Sequence, residues 1–103
     1  DGTIKEIGKI PKSIDEIEGQ YMGLIKLSPK GVEKIKNIFH KAVKNGELQG
    51  KNVENSYMTD LLQSVIDSGF PIQAVPIFGG WIEVDTVDDL KSTITIDRVN
   101  SIK

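Results

Sequence analysis

Glu83 and Asp85 stand two residues apart in the run Gly79-Gly80-Trp81-Ile82-Glu83-Val84-Asp85-Thr86-Val87-Asp88-Asp89-Leu90. Side chains alternate across a strand, so on an extended segment these two carboxylates share one face, while Trp81, Ile82 and Val84 supply packing. Two carboxylates on one face, next to a helix start, can hold a hard divalent cation such as Mg2+ through oxygen ligands. The same spacing also describes a solvated edge strand followed by an ordinary capped helix, and a motif this short does not separate the two.

The elements that must position this stretch can be read from the chain. Residues 3–7 are rich in β-branched types and predict a strand ending near Gly8. Residues 9–18, with Pro11, predict a surface loop with a helical turn over 13–17. Residues 19–27 are nearly continuous in apolar character after Gly19, which predicts a buried strand. Ser28 and Pro29 then predict a helix, serine as N-cap and proline at the first helical position. Its stripe is Val32, Ile35, Ile38, Phe39, Ala42 and Val43, and Asn45-Gly46 ends it.

Residues 47–56 are polar and predict a loop or a flap. A second helix is expected over 57–68, with Met58, Leu61, Leu62, Val65 and Ile66 as its stripe and Gly69 as its stop. Residues 70–78 predict an apolar strand, which Pro76 assigns to an edge or a bulge. Gly79-Gly80 turns the chain into a strand over 81–85, and Thr86 caps a helix with Asp88 and Asp89 in its first turn. The β-branched residues 93–96 weaken that helix, and Val99 and Ile102 are placed to extend its stripe. The alternation of strands and helices favours an α/β or mixed three-layer sandwich.

Composition narrows the function classes. Hydrophobic residues are 38% and charged residues 27% of the 103, as in one soluble globular domain. The formal net charge is -2 and the basic residues are scattered, so there is no electrostatic footprint for nucleic acid. The lysines between Lys26 and Lys44 fall mainly on the polar side of a helix, as a solvated face. With no cysteine, neither a disulfide framework nor a thiolate metal site is available. No run approaches the ~20 apolar residues of a membrane span. The N-terminus has no signal-like pattern, so the cytoplasm is the expected location. His40, the single histidine, reads as a helix-surface residue rather than a general base. The chain opens on Asp1-Gly2, a dipeptide typical of hairpin tips, with no initiating Met. The expectation is a piece of a longer polypeptide, with the strand that pairs with residues 3–7 in the remainder.

Four stretches together resemble the C-terminal half of a nucleotidyltransferase domain, the Rossmann-like family that makes nucleotide-sugars, CDP-choline and related activated compounds. They are Asp1-Gly2-Thr3 through Gly8-Lys9, then Gly19-Gln20-Tyr21-Met22-Gly23-Leu24, then Tyr57-Met58-Thr59-Asp60-Leu61-Leu62, and finally Gly79-Gly80-Trp81-Ile82-Glu83-Val84-Asp85-Thr86. The last is the most specific. It is similar to the Trp-x-Glu-x-Asp-Thr-x-x-Asp-Leu ending of phosphocholine and 2-aminoethylphosphonate cytidylyltransferases and their sugar-phosphate relatives.

The resemblance implies a fragment of a Rossmann-like three-layer α/β sandwich, a mixed sheet with flanking helices. Residues 1–103 would be its acceptor- and metal-binding portion. It implies Mg2+ as cofactor, Asp85 as a metal ligand and Glu83 as a second or outer-sphere one. It further implies transfer of a nucleotidyl group from CTP or UTP to a sugar 1-phosphate, phosphocholine or aminoethylphosphonate, with release of pyrophosphate. Gln20, Tyr21 and Gly23 become candidates for acceptor contact, although the family more often has glutamate at position 20, and Gly23 equally suits close strand packing. Trp81 and Tyr21 could face a choline-like ammonium or be core aromatics. The family's glycine-rich phosphate loop, its triphosphate-binding Arg and Lys and its first metal aspartate are not found in this sequence. The isolated chain is therefore expected to be inactive, and open sheet edges would favour a strand-exchanged homo-oligomer. The competing reading is a non-catalytic α/β module for oligomerisation or regulation.

Overall fold

The computed structural model describes residues 2–101, so the placements expected for Asp1 and Ile102 lie outside the described residues. In chain order the elements are a 3-10 turn at Ile14–Glu16, α1 (Pro29–Asn45), a hairpin of β1 (Glu47–Leu48) and β2 (Lys51–Asn52), a 3-10 turn at Val53–Asn55, α2 (Met58–Asp67), α3 (Val87–Lys91) and α4 (Thr93–Ser101). This is a mixed α/β arrangement with one two-stranded antiparallel sheet among the described residues.

Helix α1 begins and ends where its local sequence dictates. Ser28 Oγ accepts from the Gly31 amide at 3.0 Å, Pro29 occupies the first turn, and Gly46 closes the helix at φ 76° with its amide donating to the Ala42 carbonyl. Such a left-handed cap costs glycine little. Ala42 of α1, Leu48 of β1 and Leu61 of α2 form the buried cluster, with Ile35, Ile38 and Val53 packed around it. The other half of the expected stripe, Val32, Phe39 and Val43, is exposed.

Residues 47–56 are not an open loop. Leu48 and Lys51 pair across a two-residue turn in which Gln49 and Gly50 both take positive φ, 52° and 74°. That is the backbone of a tight primed hairpin turn. The Gln49 side-chain amide donates to Ser64 Oγ at 3.0 Å and to Asp67 Oδ2 at 2.9 Å, and Lys51 pairs with Asp60 at 3.3 Å. The hairpin is thus fastened to both ends of α2.

The N-terminal segment finds its partner inside the chain. The Ile4 amide donates to the Ile72 carbonyl and the Ala74 amide to the Gly2 carbonyl, both at 2.8 Å, around an antiparallel bridge of Thr3 with Gln73. Residues 3–7 and 70–78 therefore meet, but at this single bridge rather than as full strands. Pro71 and Pro76 have no amide to donate, which shortens any ladder along 70–78. Gln63, only 3% exposed, fixes the same segment from the helix side, accepting from the Ile7 amide at 2.9 Å and donating to the Lys5 carbonyl at 3.1 Å. Gly8 then lies so close to α2 that a Cβ there would stand 2.5 Å from Thr59 Cβ.

Two expected strands are corrected. Residues 19–27 form no strand, and Leu24 is 83% exposed. Gly23 bends the run at φ 89°, and no described segment lies alongside to take its backbone hydrogen bonds. Residues 81–85 likewise have no strand partner among the described residues. Among the described residues the mixed sheet expected from the sequence is accordingly not formed, because a strand exists only where a second edge accepts its amides and carbonyls. The radius of gyration, 16.4 Å, exceeds the ~13 Å typical of a compact 100-residue domain. The extended, exposed segments account for the excess.

Candidate functional site

The carboxylate-bearing stretch is organised by a helix start. Thr86 Oγ1 accepts from the Asp89 amide at 3.0 Å, and Asp89 Oδ2 accepts from the amides of Thr86 and Asp85, each at 3.1 Å. This is a reciprocal capping box with Asp in place of the usual Glu or Gln. The Asp85 amide foremost, and Thr86 after it, hold the Asp89 carboxyl below its ordinary range. The backbone that carries Asp85 is thereby latched to α3, while the Asp85 and Glu83 side chains are exposed.

Helix α3 stops at Ser92, and α4 turns back over the stretch. Residues 93–101 are helical despite their β-branched types, with Thr95 buried. Arg98 of α4 sets its guanidinium 5.9 Å from the centroid of the Trp81 ring. A depression of about 250 Å³ opens between these segments, and Gln20, Trp81, Glu83, Asp89, Thr95 and Arg98 are among its walls.

Of the residues expected from sequence, the fold brings Gln20, Trp81 and Glu83 to one depression. Tyr21, Gly23 and Asp85 lie outside its lining. Gly23 is exposed at a bend, not packed in a strand, and nothing stands within 4 Å of where its Cβ would be. The Trp81 ring already faces a cation, Arg98, contributed by the chain. His40 is exposed on α1 beside Phe39, with ring centroids 6.0 Å apart. Arg98 and the latching role of Asp89 were not anticipated. The Thr86-x-x-Asp89 spacing is a capping-box pattern that could have revealed the second. No local signal marks the first.

Among the described residues no group of three or more His, Cys, Asp or Glu side chains converges as a metal cage. The donor chemistry of Glu83 and Asp85 nevertheless fits Mg2+, which is commonly held by one or two carboxylates and completes its shell with water and phosphate oxygens. No helix among the described residues is long and apolar enough to cross a membrane.

Comparison with known proteins shows what this sequence is similar to: a cytidylyltransferase, in line with the nucleotidyltransferase resemblance carried by the motifs. One relative is the CTP:phosphoglutamine cytidylyltransferase of Campylobacter jejuni, 38% identical over 93 residues. The match covers 90% of this chain and 37% of the relative, so the chain spans well under half of that protein's length. No family model and no solved structure matches the chain.

Proposed function

We propose that this chain is the acceptor- and metal-binding portion of a Mg2+-dependent cytidylyltransferase of the cytoplasm, in which residues 1–103 complete a Rossmann-like sandwich. The observation that carries the reading is the match to a cytidylyltransferase, 38% identical over 93 residues, a length that takes in the positions of Glu83 and Asp85. The relative's name specifies CTP and a phosphorylated glutamine. CTP is therefore the preferred donor over UTP, and a small phosphorylated molecule, foremost a phosphorylated amino-acid amide, the acceptor.

In this reaction an acceptor phosphate oxygen attacks the α-phosphorus of CTP. The bond from that phosphorus to the bridging oxygen breaks, and pyrophosphate leaves with the bonding pair. Both reactants are anionic, so the chief task is to hold them together against their repulsion. Mg2+ bound by Asp85, with Glu83 as second or outer-sphere ligand, would supply the compensating positive charge. The chain's own contribution is positional. Asp89 and Thr86 set the backbone from which Asp85 projects, and the depression beside Glu83 receives the acceptor. The exposed apolar residues of 19–27 are, on this reading, surface that the rest of a protein of the relative's length covers.

The test is pyrophosphate release by the full-length protein from CTP and UTP, with phosphorylated glutamine, phosphocholine, 2-aminoethylphosphonate and sugar 1-phosphates, for wild type and Asp85→Ala. Turnover with CTP that the substitution abolishes, without loss of folding, supports the reading. Undiminished turnover in Asp85→Ala removes the metal role, and no turnover with any pair removes the activity.

A further inference from the structure

We propose that Arg98 is an oxyanion-recognising residue of the acceptor depression. The proposal rests on the cytidylyltransferase reading for the identity of the acceptor, but its geometry is independent of it. Arg98 lines the depression, and its one aromatic or charged contact among the described residues is the face of Trp81, 5.9 Å away. Glu83 and Asp89 line the same depression, yet neither forms an ion pair with the guanidinium within 4.0 Å. Asp89 is instead occupied by the amides of Asp85 and Thr86.

A cation–π contact at this distance takes up none of the guanidinium's N–H donors, and no ion pair takes them among the described residues. That edge matches the spacing of two oxygens on a carboxylate or phosphate. Trp81 thus lies beside the cation without neutralising it. Gln20, uncharged and in the same wall, adds an amide that can donate to the same oxyanion. The ligand is accordingly an acceptor oxyanion, with two possible sources on a phosphorylated amino-acid amide: its phosphate or its α-carboxylate.

The experiment compares wild type, Arg98→Gln, Arg98→Lys and Gln20→Glu in the full-length protein. Acceptors are phosphorylated glutamine and its analogue lacking the carboxylate, and CTP KM serves as the internal control. Loss of one charge-assisted pair is expected to raise acceptor KM about tenfold in Arg98→Gln. CTP KM should stay unchanged and Arg98→Lys should restore only part of the loss. Gln20→Glu, which adds a carboxylate to the depression, should raise acceptor KM in the same direction. A rise confined to the carboxylate-bearing acceptor assigns the contact to the carboxylate, and an equal rise for both assigns it to the phosphate. Unchanged acceptor KM in Arg98→Gln, or an equal loss for CTP, overturns the proposal. Calorimetric titration with phosphorylated glutamine separates it from the activity. Arg98-dependent binding by a protein that does not turn over sinks the nucleotidyl-transfer reading and leaves the subsite standing, whereas binding that is absent or indifferent to Arg98 sinks the subsite.

Discussion

The backbone amide of Asp85 donates to Asp89 Oδ2 at 3.1 Å, so the residue expected to hold a cation is positioned by a carboxylate four residues on. Asp89→Ala releases that backbone while leaving Glu83 and Asp85 intact. Partners that orient a ligand typically matter about 10- to 100-fold for metal affinity or activity. The half-saturating Mg2+ concentration for turnover of the full-length protein should therefore rise about tenfold in this variant. An unchanged Mg2+ dependence would mean that the latch serves the helix alone.

Thr86 holds the other half of the box. Thr86→Ala leaves the Asp89 amide without its acceptor and should cost about 1 kcal/mol, the usual size of a lost N-cap. The check is the urea midpoint, with Thr86→Ser retaining most of the stability.

Acid should weaken the fold through three carboxylates. Asp89 is held low by the Asp85 amide foremost, Asp60 by the Tyr57 amide with Lys51 assisting, and Asp67 by the side chains of Gln49 and Gln63. A carboxyl with a depressed folded pKa binds fewer protons in the native state. Its contribution is therefore complete above the unfolded value, about 3.9, and is lost as pH falls through the folded one. Thermal melts should be flat near neutrality and fall below about pH 4. Asp67→Asn should flatten that fall, and a melt equally steep in the variant would count against the assignment.

Gln63 is the buried polar group on which the N-terminal segment depends. Gln63→Leu leaves the Ile7 amide and the Lys5 carbonyl without their partner, at a cost of about 1–3 kcal/mol for each group that stays buried. Hydrogen exchange should show the Ile7 amide losing protection while amides in the middle of α1 keep theirs.

Gly8 tests the same contact from the other side. At φ 73°, with Thr59 Cβ 2.5 Å from where its own Cβ would be, Gly8→Ala combines a left-handed backbone with a direct clash. The backbone part alone is worth about 1–2 kcal/mol. Pairing the variant with Thr59→Gly should recover the clash component and leave the backbone component, measured as a partial return of the urea midpoint.

The sequence by itself determined what depends on residues within a turn of each other. Ser28, Pro29 and Gly46 bound α1 as expected, Leu61 and Leu62 mark the buried side of α2, and Thr86 begins α3. The glycine-and-tryptophan stretch also carried the resemblance that the relative bears out. Apolar runs were less informative. Residues 19–27 have the composition of a buried strand, but a strand is a property of two edges, and composition describes only one. The turn at Gln49-Gly50 was hidden because Gln replaces the Asn or Asp that usually announces it. Only the tertiary structure decided that residues 2–8 lie against α2 and residues 72–74, and that Arg98 returns over Trp81 beside Glu83. The physical reason is range: capping and helical periodicity act between neighbours in the chain, whereas these contacts depend on where separate segments meet in space.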